Sequence, residues 1–237
     1  MGGRPSLCVA LDSSDRDWVV TTAKRLVGHV GWLKVGLEAF SAHGPDLVTE
    51  VAALGPQVFL DLKLHDIPAT TRRAAANCAA CGASMFTVHA AGGRSMLEAA
   101  VEGARQGSTS SPPKVVAVTV LTSLDSASLA ELQIPAQIRD VVVTWARLAQ
   151  NSGLDGVVAS ACEAAAVRRD CGVEFLIVTP GIRPAASATD DQRRVVTPAE
   201  AVRSGANMLV VGRPVTGADD PAQAASAIVE EMAAVTR

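Results

Sequence analysis

Two acidic groups and one ammonium group stand close together in the segment 61–66, Asp-Leu-Lys-Leu-His-Asp, which continues an apolar stretch. If that stretch is a β-strand, Asp61 and Lys63 lie on one face, because side chains alternate every two residues. Lys34 interrupts another apolar stretch in the same way. Isolated buried charges are costly, so these groups are stable inside a protein only if they pair. A paired array would stabilise negative charge developing on a substrate and could supply a proton to it.

Four residues are therefore the candidate catalytic group: Lys34, Asp61, Lys63 and Asp66. Asp66 is expected just past the end of its strand. The same charges also fit a structural salt-bridge cluster without any catalytic role. Two lysines near the carboxyl ends of neighbouring strands favour a functional site.

A second candidate site follows the last apolar stretch, where Gly212 precedes Arg213. Glycine permits close backbone approach, and a guanidinium group binds phosphate through two parallel hydrogen bonds. A surface arginine after a glycine is also common. The turn expected at Pro180 and Gly181 favours a phosphate site, because the loops after strands seven and eight bind phosphate in many barrels.

Eight short apolar segments alternate with amphipathic, alanine-rich stretches, and this alternation predicts parallel strands joined by helices. We expect one α/β domain over residues 1–237, a (β/α)₈ TIM barrel whose active site lies at the carboxyl ends of the strands. Ser13 or Ser14 is expected to cap the first helix, and Pro198 with Glu200 to open a later one. The stretches 123–135 and 180–195 are expected as long loops at that end. The predicted strands are 7–12, 32–36, 58–63, 85–89, 115–121, 156–160, 175–179 and 208–212.

Composition excludes several classes of protein. The chain has 237 residues, a formal net charge of -3 and 3% aromatic residues, which disfavours nucleic-acid binding. Apolar runs are too short for a membrane-spanning helix, and the first 15 residues lack a signal-peptide core. Five cysteines in a chain with a large core suit a reducing compartment, so we expect a cytoplasmic protein.

Four segments resemble the orotidine 5'-phosphate decarboxylase family in order and spacing: 33–36, 61–68, 178–184 and 211–214. The resemblance extends from Asp12 to the last helix. It implies decarboxylation of orotidine 5'-monophosphate to UMP and CO₂, the last step of de novo UMP synthesis, without a metal or organic cofactor.

The resemblance also implies roles for individual residues. Lys63 corresponds to the proton donor, held by Asp61 and Asp66, while Lys34 contacts the ribose hydroxyls and Asp61. Asp12 would accept hydrogen bonds from ribose, although Asp12 could equally cap the first helix.

Other positions correspond to contacts with the two ends of the nucleotide. In the stretch 180–195, Gly181 and the small residues Ala185 to Ala188 indicate a lid that closes over the phosphate, and a long surface loop is the alternative. Ile67, beside Pro68, would pack against the base, and Thr70, with Asp66, would reach the partner's site in a homodimer. The pyrimidine edge corresponds to Thr122 and Ser123, and the phosphate site to Pro180, Arg183, Gln192, Gly212 and Arg213.

Two other functions remain open from the sequence. Mg²⁺-dependent 3-keto-L-gulonate 6-phosphate decarboxylases and hexulose-phosphate synthases share the Asp-x-Lys-x-x-Asp pattern but have glutamate in place of Lys34, and a cation there opposes Mg²⁺ binding. The second open function is that of a catalytically inactive barrel that binds UMP-like ligands.

Cys78 and Cys81 match a CxxC pattern, but their expected place late in a helix indicates ordinary packing rather than a redox or zinc site.

Overall fold

The computed structural model describes residues 5–184 and 196–235 of the chain. Eight strands within these residues form a closed parallel barrel in which each strand pairs with its neighbours in sequence and the first pairs with the last. The predicted TIM barrel and its strand order are confirmed. The strands are β1 (Ser6–Ala10), β2 (Trp32–Gly36), β3 (Gln57–Leu64), β4 (Met85–His89), β5 (Lys114–Val118), β6 (Gly156–Val158), β7 (Leu176–Thr179) and β8 (Met208–Val211).

Helices connect the strands and cover the outside of the barrel. A 3₁₀ turn at Ala90–Gly92 precedes the fourth helix. Every helix in the described residues is too short or too polar to cross a lipid bilayer. The helices are α1 (Arg16–Leu26), α2 (Leu37–Ala52), α3 (Pro68–Ala80), α4 (Gly93–Gln106), α5 (Ser126–Glu131), α6 (Ile138–Asn151), α7 (Ala161–Cys171), α8 (Pro198–Arg203), α9 (Arg213–Thr216) and α10 (Pro221–Ala234).

The core has two shells, because alternate residues of each strand face opposite sides of the sheet. The outer shell lies between strands and helices and includes Leu33, Leu60 and Phe86. The inner shell fills the barrel interior, where the large side chains of Trp32 and Phe59 are buried with smaller neighbours. Two residues further along the same strands, the side chains that face the interior are charged: Lys34 on β2 and Asp61 on β3.

Two predicted helix starts have different outcomes. The prediction that Ser13 or Ser14 caps α1 is wrong: Asp15 is the N-cap, and its carboxylate accepts a hydrogen bond from the Trp18 backbone N–H. Asp12 therefore does not cap this helix and is left available to the barrel mouth. At α8 the prediction is confirmed: Pro198 is the first residue of the helix, and Glu200 forms a reciprocal capping box with the N-cap residue Thr197.

One of the two stretches expected to be long loops contains a helix. The stretch 123–135 contains α5, which Asp125 caps by accepting a hydrogen bond from the Ser128 backbone N–H. After β7, the chain is described to residue 184 and again from residue 196, where Val196 forms a bridge with Ile182. The predicted lid residues 185–188 and the predicted phosphate contact Gln192 lie outside the described residues.

Candidate active site

The charged side chains of β2 and β3 form one ion-pair network inside the barrel. The Asp61 carboxylate accepts a hydrogen bond from Lys63 Nζ at 2.9 Å through Oδ1. Its other oxygen, Oδ2, lies 3.7 Å from Lys34 Nζ. One carboxylate thus stands between two ammonium groups, as the sequence predicted for Lys34, Asp61 and Lys63.

Burial differs along this network. The side chain of Lys34 is 9% exposed and that of Asp61 is 15% exposed, while that of Lys63 is 36% exposed. Lys34 and Asp61 form the buried base of the network. Of these three side chains, that of Lys63 is the most exposed to a substrate in the barrel mouth.

The local backbone explains how Lys63 turns back toward Asp61. Lys63 has a positive φ of 55°, a conformation that residues with a side chain rarely adopt. The pairing of β3 with β4 shifts register between Leu60 and Leu64. Leu62 and Leu64 still pack against the outer shell, so the charged pair faces the interior.

Thr87 of β4 completes this geometry and was not singled out from the sequence. Its hydroxyl accepts a hydrogen bond from the Lys63 backbone N–H at 2.8 Å and donates one to Asp61 Oδ1 at 2.9 Å. Thr87 is fully buried. Threonine is common in strands, so its sequence position carried no signal of this contact.

Asp12 joins the network from the end of β1. Its Oδ1 accepts a hydrogen bond from Lys34 Nζ at 2.7 Å, and half of its side-chain surface remains exposed. A Cβ atom on Gly36 would stand 2.4 Å from Asp12 Oδ1 and 2.7 Å from Lys34 Nζ. Gly36 is therefore the residue that leaves room for this ion pair.

Asp66 lies apart from the network in the described structure. Its Oδ1 accepts a hydrogen bond from the Ile67 backbone N–H at 2.6 Å, and no ion pair joins it to Lys63 among the described residues. Ile67 is 67% exposed. Neither residue, nor Thr70, lines either cavity described below. The predicted contact of Asp66 with Lys63 is not made within one described chain, and the contact of Ile67 with the base stays a prediction.

A cavity of about 450 Å³ extends from the ion-pair network toward the loops after β7 and β8. Arg183 and Arg213 both line it, and Arg183 is 6% exposed. Both arginines also interact with other groups of the protein. Predicted phosphate residues Pro180 and Gly212 lie in the same wall. Two guanidinium groups in a concave site match the double negative charge of a phosphate monoester.

A smaller cavity of about 180 Å³ shares Lys34, Asp61 and Lys63 with the larger one. Thr122 lines it, whereas Ser123 lies outside its wall. The remaining wall is mostly apolar and suits a flat ring. Sequence reasoning missed these wall residues, because apolar side chains on or just after strands carry no distinguishing signal: Phe59, Val118, Val120, Leu121, Val158, Ala159 and Val210.

Comparison with known proteins identifies the family. Residues 5–228 match the model of the orotidine 5'-phosphate decarboxylase / HUMPS family. The chain belongs to this family. Among its curated relatives, the orotidine 5'-phosphate decarboxylase of Anaeromyxobacter sp. is 52% identical over 94% of this chain and 96% of that protein. That of Heliobacterium modesticaldum is 48% identical over 98% of both chains.

A solved structure supports the same assignment. The crystal structure of orotidine 5'-phosphate decarboxylase from Lactobacillus acidophilus superposes with a TM-score of 0.87 at 37% identity, covering 96% of this chain and 99% of that one. The barrel and its sequence are therefore both shared with the decarboxylases.

Two histidines stand beside the network. The rings of His65 and His89 stack with centroids 5.3 Å apart. Burial lowers the pKa of the His89 imidazole, and the nearby His65 and Lys63 lower it further. These effects favour the neutral form of the His89 imidazole next to Lys63.

The CxxC pair does not form a reactive site in this structure. Cys78 is buried near the end of α3, and Cys81 donates a hydrogen bond through its Sγ to the Cys78 carbonyl at 3.3 Å. Burial raises the pKa of the Cys78 thiol to about 12. A thiol of this kind is not nucleophilic at neutral pH, in agreement with a packing role.

Gly36→Ala tests the steric basis of the Asp12–Lys34 pair. The added Cβ would displace both charged groups, so we expect kcat/KM for orotidine 5'-monophosphate to fall by about 100-fold, the cost of misplacing a site by about 1 Å. Gly31→Ala, before the same strand, is the matched control because a Cβ there meets nothing within 4 Å. Equal kcat/KM values for the two variants, measured by absorbance, would refute this role of Gly36.

Proposed function

We propose that this chain catalyses the decarboxylation of orotidine 5'-monophosphate to UMP and CO₂, a carbon–carbon lyase reaction and the last step of de novo UMP synthesis. One observation carries the proposal: Lys63 Nζ, held 2.9 Å from Asp61, lies where the arginine-lined cavity meets the apolar cavity. The family membership of the chain supports the same reaction.

The two cavities suggest how the nucleotide is oriented. Its phosphate lies between Arg183 and Arg213 in the larger cavity, and its pyrimidine ring enters the smaller cavity beside Thr122. The ribose then lies over the ion-pair network, where Asp12 accepts hydrogen bonds from its hydroxyls. Binding the phosphate at a distance holds the ring in register with Lys63, so phosphate binding contributes to the rate as well as to affinity.

Cleavage of the bond to the carboxylate places negative charge on C6 of the pyrimidine ring, next to Lys63. The C6–carboxylate bond breaks, CO₂ departs, and the electron pair remains on C6 in the plane of the ring. The Lys63 ammonium group stabilises this carbanion and then transfers one proton to it, forming the C6–H bond of UMP. Lys63 is left neutral and regains its proton from solvent before the next turnover.

Lys34 disfavours the Mg²⁺-dependent alternative. Its ammonium group already lies 2.7 Å from Asp12 and 3.7 Å from Asp61, the carboxylates that a divalent cation at this place would need. A second cation in contact with that ammonium group would be repelled strongly. We therefore propose that Lys34 takes the place of a metal ion in this site.

We further propose that the enzyme is a cytoplasmic homodimer with shared active sites. Asp66 and Ile67 are exposed and line neither cavity of their own chain, and Thr70, three residues further on, is half-buried. An exposed isoleucine beside a carboxylate at the rim suits a surface that another subunit covers. In a twofold dimer, each chain would then complete the site of the other.

Lys63→Ala tests the proton donor. We expect kcat to fall by about 10,000-fold or more, because both the proton and the stabilising charge are lost, while UMP still binds. The loss of orotidine 5'-monophosphate absorbance and calorimetric binding of UMP measure the two effects. Lys114→Ala, at the exposed start of β5, is the control and keeps full activity. Turnover by Lys63→Ala at the control rate excludes the assigned role.

A chelator tests the Mg²⁺-dependent alternative. EDTA should leave the wild-type rate unchanged if no Mg²⁺ takes part.

Arg213→Ala tests the phosphate site. Loss of two charge-assisted hydrogen bonds predicts a fall in kcat/KM of about 100- to 10,000-fold. In addition, phosphite dianion should accelerate the wild-type reaction of a substrate without its phosphate, and this acceleration should weaken in the variant. Arg105→Ala on the exposed side of α4 serves as the control. An unchanged kcat/KM would place the phosphate elsewhere.

Mixing two inactive variants tests the shared site. Lys63→Ala and Asp66→Ala chains are unfolded together and refolded, so that half of the dimers contain one chain of each kind. Each mixed dimer has one site with both native residues if Asp66 acts in the partner's site, which predicts recovery of about 25% of wild-type activity. Recovery of no activity, with dimers present by light scattering, would place Asp66 in its own chain's site.

A further inference from the structure

We propose that Thr87 is a positioning residue for this decarboxylation: its hydroxyl holds the Asp61 carboxylate and the Lys63 backbone in the arrangement that aims the Lys63 ammonium group into the site. The inference rests on the proposed function. It concerns a buried side chain that no substrate can reach, since Thr87 is fully buried and lines neither cavity.

The strand pairing shows why the Lys63 backbone needs a partner. Leu60 pairs with Phe86 and Leu64 pairs with Val88, so three residues of β3 face the single residue Thr87 of β4. The regular ladder of backbone hydrogen bonds is interrupted over these residues. The Thr87 hydroxyl takes the place of a carbonyl by accepting the Lys63 N–H at 2.8 Å.

The backbone conformation at this point would otherwise be unfavourable. Lys63 has a φ of 55°, which crowds its Cβ against the backbone. Such a conformation persists only where surrounding contacts impose it. The hydrogen bond to Thr87 is one of these contacts and acts on the catalytic residue itself.

The direction of the hydroxyl proton couples the two partners. Because the Thr87 oxygen accepts from Lys63 N–H, its one proton is free to be donated to Asp61 Oδ1, 2.9 Å away. Asp61 Oδ1 also accepts from Lys63 Nζ. A closed ring of hydrogen bonds therefore links the lysine's backbone to its own ammonium group through Thr87 and Asp61.

Another buried threonine lacks these connections and provides a comparison. Thr119, after β5, is as fully buried as Thr87, but its hydroxyl donates to the Val158 backbone carbonyl at 3.0 Å. Removing its hydroxyl costs a hydrogen bond in a similar environment without touching the ion-pair network. Thr119→Val is thus a matched control for stability.

The test compares kcat, KM, UMP affinity and melting temperature for Thr87→Val and Thr119→Val. Thr87→Val keeps the side-chain shape and loses the hydroxyl. We expect kcat to fall by about 10- to 100-fold relative to Thr119→Val, because the ammonium group is misplaced while the phosphate contacts remain. UMP affinity should stay close to that of the control, a split that general loss of stability would not produce.

A second comparison isolates the hydroxyl if Thr87→Val folds poorly. Thr87→Ser and Thr87→Ala both lack the methyl group, and only Thr87→Ser keeps the oxygen. We expect Thr87→Ser to keep kcat within a few-fold of wild type and Thr87→Ala to show the loss. Equal kcat for Thr87→Val and Thr119→Val, or for Thr87→Ser and Thr87→Ala, would overturn the inference. Failure of the wild-type protein to convert orotidine 5'-monophosphate would instead overturn the proposed function.

Discussion

The structure depends on one carboxylate shared by two ammonium groups inside an apolar barrel. Asp61 makes both Lys34 and Lys63 tolerable there, and each lysine in turn makes Asp61 tolerable. Removing Asp61 would leave Lys34 with Asp12 alone and would take from Lys63 the carboxylate that it binds, and a buried charge left without its counterion costs more than the pair itself contributes. The same requirement fixes these groups in place before a substrate arrives, so little reorganisation is needed when charge develops on the pyrimidine ring.

The two cavities separate the proposed phosphate site from the proposed site of bond cleavage, and both are lined by the ion-pair network. Arg183 and Arg213 are supplied by connections after β7 and β8, whereas the ion-pair network belongs to β2 and β3 on the opposite side of β1. One cavity contains both groups, so a nucleotide that contacts both bridges the ends of strands on either side of β1. This arrangement places the proposed phosphate contacts on connecting segments, which vary easily, and the proposed proton donor on a strand held by neighbours on both sides.

The sequence was sufficient for the barrel and for much of the site, for identifiable reasons. Strand periodicity and neighbouring strand ends placed Lys34, Asp61 and Lys63 together, because two-residue alternation is a local property. Gly36 and Thr87 escaped notice because their importance arises only when other strands approach them. The error at the first helix had a similar cause: several residues able to cap it stand in a row, and the Ser14 hydroxyl instead donates a hydrogen bond to the distant Glu38.

The filled lower half of the barrel has a consequence for the gaseous product. Trp32 and Phe59 are 9% and 1% exposed and, with Met85, close the interior beneath Asp61 and Lys63. In the described part of the chain, CO₂ released above this floor has only the mouth as its exit, on the side from which the nucleotide enters. We therefore expect the gas and UMP to leave the barrel through one shared opening.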